Sequence, residues 1–130
     1  MEPKKNENKS ILIVEDEPAI ADVLIQLFRF GGFEVLRAAD GEQALAVVAT
    51  TLPTLIILDI SMPKMDGWEV CKRLKADART KDIPVLIYST KASREDREHG
   101  RALGALQHIS KEEESPLTVL KAVQGILEDK

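Results

Sequence analysis

The chain has 130 residues, of which 44% are hydrophobic and 31% are charged, and its formal net charge is −4. This length fits one domain of about 100–200 residues, and the composition excludes disordered and collagen-like chains. The acidic balance argues against nucleic-acid binding by this chain alone. Apolar runs such as residues 55–58 are far shorter than the ~20 residues that a membrane span needs.

The cysteine count and the N-terminal residues bear on location. Cys71 is the single cysteine, so an intramolecular disulfide is impossible and a reducing compartment is expected. Residues 1–10 contain lysines but no apolar segment long enough for a signal peptide. We therefore expect a soluble, cytoplasmic domain over residues 10–130, preceded by a disordered leader over residues 1–9.

Short apolar runs alternate with amphipathic segments along the chain. The runs predict five strands, at residues 11–14, 33–36, 55–58, 85–88 and 106–109. Helical spacing between them predicts five helices, and residues 94–103 form the weakest because they are densely charged and contain Gly100. This alternation predicts an α/β fold, a doubly wound five-stranded parallel sheet in the order 2-1-3-4-5.

Polar side chains follow the predicted strands where each strand ends. In open α/β sheets ligands bind beyond these carboxyl ends, so the side chains there should gather in one site. Three clustered carboxylates repel one another, and a hard cation such as Mg²⁺ relieves that repulsion. A carboxylate, a hydroxyl and a lysine beside Mg²⁺ suit phosphoryl transfer, with Asp59 as the acceptor. The residues of this site are Glu15, Asp16, Asp59, Ser89 and Lys111.

Four segments resemble the motifs of bacterial response-regulator receiver domains. They are residues 11–18 (ILIVEDEP), residues 58–67 (LDISMPKMDG), residues 83–89 (IPVLIYS) and Gly104-Ala105 followed by Lys111. The resemblance covers about residues 10–127. It implies a flavodoxin-like receiver fold and a phosphorylatable signalling switch in a two-component phosphorelay. It also implies a switch rather than an enzyme, with only slow self-catalysed phosphorylation and dephosphorylation.

The resemblance implies a role for each matching residue. Asp59 would accept a phosphoryl group from a histidine kinase or a histidine phosphotransfer protein. Asp16 would bind Mg²⁺ directly, Glu15 through metal-bound water, and Ser61 through its backbone carbonyl. Ser89 and Lys111 would contact the phosphoryl group. A downstream effector would bind the face made by the fourth helix, the fifth strand and the fifth helix, while nucleic acid and membrane would not bind this domain.

The sequence departs from the family pattern at four positions. Glu112 replaces the usual proline after Lys111, and we expect a trans bond there because a non-proline cis bond costs about 3 kcal/mol. His108 replaces the switch aromatic, and a histidine can charge near neutral pH, which predicts pH-dependent partner binding. Glu15 replaces a frequent aspartate. Thr90 replaces a small residue and is an alternative switch hydroxyl, although the spacing favours Ser89.

Two other functions compete with the phosphorylated switch. Aspartate-nucleophile phosphatases share part of this chemistry, but they carry a second aspartate two residues after the nucleophile, where this chain has Ser61. The second alternative is a receiver-like binding module that works without phosphorylation. The departures from the family pattern at Thr90, His108 and Glu112 keep this alternative under consideration. A zinc site is not expected, because His99, His108 and Cys71 lack a ligand pattern. Neither G-x-G-x-x-G nor G-x-x-x-x-G-K-[ST] occurs, so nucleotide binding by these motifs is not expected.

Overall fold

The computed structural model describes residues 9–128, and residues 1–8, 129 and 130 lie outside the described part. Strands and helices alternate along the described residues, beginning with a strand. The five strands are β1 (Ser10–Val14), β2 (Glu34–Ala38), β3 (Leu55–Leu58), β4 (Val85–Ser89) and β5 (Gln107–Ser110). The five helices are α1 (Pro18–Phe30), α2 (Gly41–Thr50), α3 (Gly67–Ala76), α4 (Arg94–Ala102) and α5 (Pro116–Leu127).

The strands form one parallel sheet in the order β2-β1-β3-β4-β5, which confirms the predicted fold and strand order. β1 lies at the point where the winding reverses, with β2 on one side and β3 on the other. Val14, its last residue, is opposite Ala38 of β2 and Leu58 of β3. The residues that follow β1 and β3 are therefore neighbours at the edge where such sheets bind ligands.

Two hydrophobic layers cover the two faces of the sheet. In β1, Leu12 and Val14 pack towards α2 and α3, whereas Ile11 and Ile13 pack towards α1 and α5. α4 lies on the same face as α2 and α3, where Gly100 approaches Ile87 of β4. Because β1, β3 and β4 are buried on both faces, their sequences are unbroken apolar runs rather than alternating patterns.

The helix starts follow from local sequence. Pro18 and Pro116 lie in the first turns of α1 and α5, where a missing N–H leaves no helical bond unmade. Asp66 caps α3, because its carboxylate accepts a hydrogen bond from a backbone amide of the first turn. Ser93 and Asp96 form a reciprocal capping box at the start of α4. The charged helix α4 therefore has a firmly defined N-terminus.

The outer strands begin and end later than their apolar runs predicted. Phe33 was expected in β2, but its amide donates to Phe28 O and so completes the end of α1. Leu106 was expected in β5, but its side chain is 58% exposed and the strand begins at the next residue. For Phe33 the reason is that backbone pairing defines a strand, whereas an apolar side chain marks burial. Leu106 N still donates to Val85 O at 2.8 Å, so this residue leads directly into the pairing of β5 with β4.

The two ends of the described chain lie close together. Lys9, the last residue of the expected leader, accepts a bond from Glu34 N and donates through Nζ to Leu127 O at 3.1 Å. The rest of that leader, residues 1–8, lies outside the described residues. No helix of the described chain combines the length and the apolar character that crossing a membrane requires.

Candidate functional site

Three carboxylates meet at the carboxyl edge of the sheet. Glu15 and Asp16 follow β1, and Asp59 follows β3, where its amide donates to Val14 O at 3.0 Å. Glu15 and Asp59 are only 2% and 4% exposed, and Asp16 is half-buried. One carboxylate oxygen from each residue lies within 4.8 Å of the other two. The structure thus brings together the three acidic residues that the sequence predicted.

Lys111 is the cation of this cluster. Its Nζ lies 2.8 Å from Glu15 Oε1 and 3.2 Å from Asp59 Oδ2, and the Lys111 side chain is 8% exposed. A third carboxylate, that of Glu17, is 3.9 Å away and exposed to solvent. The residue immediately after β5 therefore reaches across to the ends of both β1 and β3.

Burial and the neighbouring charges shift the pKa values of both Glu15 and Lys111. Burial raises the pKa of Glu15 to about 7, although Lys111 donates to this carboxyl, and the charge of Asp59 adds to the rise. Burial works against the charge on Lys111, but its bond with Glu15 and the charge of Asp59 prevail and raise the pKa of the ammonium group. Both groups therefore favour their protonated forms.

The loop after β3 is held close to Asp59. Ser61 is exposed, and its backbone amide donates to Asp59 Oδ1 at 3.3 Å. Gly67, the first residue of α3, donates its amide to Ile60 O at 2.9 Å. A Cβ at this glycine would collide with the backbone of Asp59 and Ile60. The absence of a side chain at Gly67 thus lets α3 begin directly against the loop that carries the acceptor carboxylate.

The two predicted switch residues are joined through the backbone of Lys91. Ser89 is fully buried at the end of β4, and its Oγ accepts a bond from Lys91 N at 3.1 Å. His108 of β5 places Nε2 at 2.8 Å from Lys91 O, and a carbonyl only accepts, so Nε2 carries the hydrogen. Thr90, the alternative hydroxyl, is exposed. Ser89 and His108 therefore lie on the two sides of one loop residue.

His108 is held neutral by its surroundings. Its Nδ1 is buried beneath Gly100 of α4 and has no hydrogen-bond partner among the described residues. Burial lowers the pKa of the imidazole, and the charge of Arg97 acts in the same direction against the bond to Lys91 O. The direction of this shift works against charging of the ring near neutral pH, and the pH dependence of partner binding stays a prediction.

The loop after Lys111 has the trans geometry expected for a chain without proline there. No cis peptide bond occurs between residues 9 and 128. Lys111 N donates to Ser89 O at 3.0 Å, which continues the pairing of β5 with β4. Ser110 Oγ then accepts from Glu112 N at 3.2 Å and from Glu113 N at 3.3 Å. A serine hydroxyl, which the sequence analysis did not single out, thus shapes this turn.

Arg37 of β2 is a second contributor that the sequence analysis missed. Its Nη2 donates to Glu15 O at 2.9 Å, so it ties the loop between β1 and α1 to the neighbouring strand. Glu17 N donates to Glu15 Oε2 at 3.2 Å within the same loop. The partner of Arg37 is a backbone atom 22 residues away, and no sequence signal marks such a contact.

The donor set of the site fits a hard divalent cation. Carboxylate oxygens are the ligands that Mg²⁺ and similar ions take, and three of them converge here with excess negative charge. Asp59 is at once a member of this cluster and a partner of Lys111. A buried carboxylate that contacts a lysine and belongs to a cluster able to hold a cation is equipped to accept a phosphoryl group.

Comparison with known proteins gives the family. The model of the response regulator receiver domain matches residues 11–124, a range that includes every residue of the site. The chain belongs to the response regulator receiver domain family. As a receiver domain it is a switch module of two-component regulators, and its five-stranded sheet and five helices are those of this family.

Relatives and solved structures agree with this assignment. The alkaline phosphatase synthesis transcriptional regulatory protein PhoP of Bacillus subtilis is 39% identical over 120 residues, 92% of this chain and 49% of PhoP. The chemotaxis protein CheY4 of Vibrio cholerae superposes with a TM-score of 0.85 at 34% identity, covering 92% of this chain and 98% of that chain. The phosphorylated cyanobacterial phytochrome response regulator RcpA gives a TM-score of 0.79 at 31% identity, covering 92% and 91%. The chain thus spans about half of PhoP and nearly all of CheY4.

Proposed function

We propose that this receiver domain accepts a phosphoryl group on Asp59 from a histidine kinase or a histidine phosphotransfer protein. The observation that carries the proposal is the position of the Asp59 carboxylate. It is buried, lies 3.2 Å from Lys111 Nζ, and belongs to the same carboxylate cluster as Glu15 and Asp16. The relative RcpA was solved in a phosphorylated form, which supports the same chemistry here.

We propose Mg²⁺ as the cofactor, because the donor set consists of oxygens and carries excess negative charge. Asp16 and Asp59 would hold the ion directly, Glu15 through water, and Ser61 through its backbone carbonyl. When bound, the ion neutralises the carboxylates and the charge on the phosphoryl oxygens. Lys111 and the Ser89 hydroxyl would donate hydrogen bonds to those oxygens.

The proposed transfer balances as a simple displacement. An oxygen of Asp59 forms a bond to phosphorus while the phosphorus–nitrogen bond of the donor histidine breaks. The electron pair goes to the imidazole nitrogen, which then takes a proton from solvent. The domain would also take a phosphoryl group from small donors and lose it to water slowly, and it would have no other enzymatic activity.

The proposed partners follow from the receiver class. A kinase or phosphotransfer protein supplies the phosphoryl group, and a downstream effector binds the face of α4, β5 and α5. We propose that this domain contacts neither nucleic acid nor a membrane, because acidic residues outnumber basic ones in the chain. The cytoplasmic location expected from the sequence stays a prediction.

One structural feature favours the phosphorylation-independent binding module as a second candidate. Lys111 already has Glu15 at 2.8 Å, closer than Asp59 at 3.2 Å, so the site is internally paired without a phosphoryl group. The phosphatase hypothesis has no comparable support, because Ser61 lacks the carboxyl that such an enzyme needs two residues after its nucleophile.

Intact-mass measurement after incubation with acetyl phosphate and Mg²⁺ tests the proposal. We expect one added phosphoryl group, no addition when EDTA replaces Mg²⁺, and no addition to Asp59→Asn. Asp82→Asn, which changes an exposed aspartate before β4, is the matched control and should be labelled like the wild type. An unlabelled wild type would favour the binding module, and equal labelling of Asp59→Asn would place the acceptor elsewhere.

A further inference from the structure

The structure assigns Tyr88 and Ser110 as positioning residues that hold the loop after Lys111, residues 111–115. In this chain Glu112 stands at the usual proline position, so proline cannot fix the direction of that loop. This inference rests on the proposed function, since its readout is phosphorylation of Asp59. Neither residue touches the carboxylate cluster through a hydrogen bond described here. Both act on the segment between β5 and α5, which carries Lys111 at its start.

The geometric problem at this loop is to aim one long side chain. Lys111 has four flexible side-chain bonds, and its ammonium group must stay near Asp59 Oδ2, where it lies at 3.2 Å. Its own backbone is fixed on one side only, by the bond from Lys111 N to Ser89 O. The following residues, Glu112 and Glu113, are exposed, and the ion pair of Glu113 with Arg97 Nη2, at 3.7 Å, is open to solvent. Something else must fix the direction in which the chain leaves β5.

Ser110 supplies the first constraint. Its Oγ accepts bonds from Glu112 N and Glu113 N, and its carbonyl accepts from Glu114 N at 2.9 Å. Three consecutive amides after Lys111 thus turn back onto one buried serine. Because serine hydroxyls can replace water as partners of turn amides, this arrangement closes the turn without proline.

Tyr88 supplies the second constraint. This residue of β4 is 3% exposed, and its hydroxyl donates to Glu114 O at 3.0 Å. The ammonium group of Lys111 lies 5.9 Å from the centre of the Tyr88 ring, within cation–π range. Burial raises the pKa of the phenol, so its hydrogen stays available to donate. Tyr88 therefore contacts both ends of the loop from a strand of the buried sheet.

The test compares phosphorylation rates with acetyl phosphate at saturating Mg²⁺. Tyr88→Phe keeps the ring and removes the hydroxyl, and we expect its rate to fall about fivefold, the effect of one lost hydrogen bond. Glu114→Ala is the matched control: the bond from Tyr88 uses only the backbone carbonyl of Glu114, so its rate should equal that of the wild type. Mg²⁺ affinity should not change in either variant, because neither residue is a proposed ligand.

A double-mutant cycle separates positioning of Lys111 from a general structural effect. In a Lys111→Ala background, Tyr88→Phe should cause no further loss, because there is no ammonium group left to aim. A wild-type rate in Tyr88→Phe, or the same fold-loss in both backgrounds, would overturn this inference alone. Absence of labelling in the wild type would overturn the proposed function and this inference with it.

Discussion

Lys111 has two carboxylate partners before any phosphoryl group arrives. Glu15 is one methylene longer than the aspartate common at this position, and its Oε1 approaches Nζ to 2.8 Å. Asp59 shares the same ammonium group at 3.2 Å. One lysine thus balances two buried carboxylates while Asp16 lacks such a partner in the cluster described here. The residual negative charge is the physical reason to expect a cation at this position.

The first prediction concerns the response of stability to Mg²⁺. Because Mg²⁺ would bind only the native state, it should raise both the free energy of unfolding and the melting temperature. The gain in free energy of unfolding is about 2.7 kcal/mol when the Mg²⁺ concentration is about 100 times Kd. Asp16→Ala removes a proposed direct ligand and should abolish the shift in a thermal melt. Asp22→Ala, on the exposed surface of α1, is the control and should keep it. A wild-type protein that melts identically with and without millimolar Mg²⁺ would contradict the metal assignment.

The second prediction concerns the pH dependence of stability through His108. The native ring resists protonation because Nδ1 is buried beneath Gly100 and Arg97 lies close, whereas the nearby Asp96 only partly offsets this. The unfolded chain takes up the proton at the ordinary pKa of about 6.5, so acidification below that value favours unfolding. The stabilising effect of the depressed pKa is present above about pH 6.5 and is lost as the pH falls.

Chemical denaturation of His108→Gln measures this effect. The amide of glutamine can still donate to Lys91 O but does not titrate. Between about pH 7.5 and pH 5 the wild type should lose more free energy of unfolding than this variant does. Parallel pH profiles for the two proteins would show that the pKa of His108 is the same in the folded and unfolded states.

At the scale of elements, the packing of α4 against the sheet depends on Gly100, which has no side chain. Gly100 faces the sheet, and a Cβ there would lie 3.0 Å from Ile87 Cδ1 and 3.2 Å from His108 Nδ1. Glycine in a helix interior costs about 1 kcal/mol relative to alanine. In return for this cost, the glycine lets α4 pack closely over His108. Gly100 lowers the helix propensity of this segment, but it also allows the contact that positions α4 on the sheet.

The third prediction compares two glycines in helices. Gly125 of α5 has open space around the position of a Cβ, so Gly125→Ala should stabilise the domain by about 0.5–1 kcal/mol. Gly100→Ala gains the same helix propensity but must displace Ile87 or His108, so its free energy of unfolding should lie at least about 1 kcal/mol lower than that of Gly125→Ala. Urea denaturation measures both, and equal stabilisation would show that α4 has room to spare.

The bounds of a strand were predicted well where its buried apolar side chains coincide with its paired backbone. β1, β3 and β4 are buried on both faces, so their apolar runs gave nearly their full extents. The outer strands were misplaced by one or two residues at their ends, because β2 and β5 each pair on one side only. Arg37 illustrates the difference: it belongs to β2 by pairing with Ile13, although it is charged and exposed.

At the scale of the whole molecule, the strand order explains why the site could be predicted. Once β1, β3 and β5 are placed in a parallel sheet, the residues after them must share one edge, and these include Glu15, Asp59 and Lys111. The residues that hold the site loops in place could not be predicted in the same way. Tyr88 and Arg37 act on backbone atoms 26 and 22 residues away, and backbone acceptors leave no trace in a sequence.

The fourth prediction concerns the spread of the signal. Ser89 and His108 both bind the backbone of Lys91, and Arg97 Nη1 donates to His108 O at 2.8 Å, so contacts continue from β4 into α4. Drawing the Ser89 hydroxyl towards a phosphoryl group on Asp59 would break its bond with Lys91 N. Amide hydrogen exchange with and without phosphorylation should therefore change mainly within residues 89–115. Changes confined to the loop after Asp59 would favour the binding module.

The most direct test of the central claim is to locate the phosphoryl group chemically. Borohydride reduces an acyl phosphate to an alcohol, which converts the modified aspartate into homoserine. After treatment with acetyl phosphate and Mg²⁺, reduction and peptide sequencing by mass spectrometry should find homoserine at Asp59, with Glu15, Asp16 and Asp66 unchanged. A reduced residue at another position, or none in protein that has gained the mass of a phosphoryl group, would contradict the assignment of Asp59 as the acceptor.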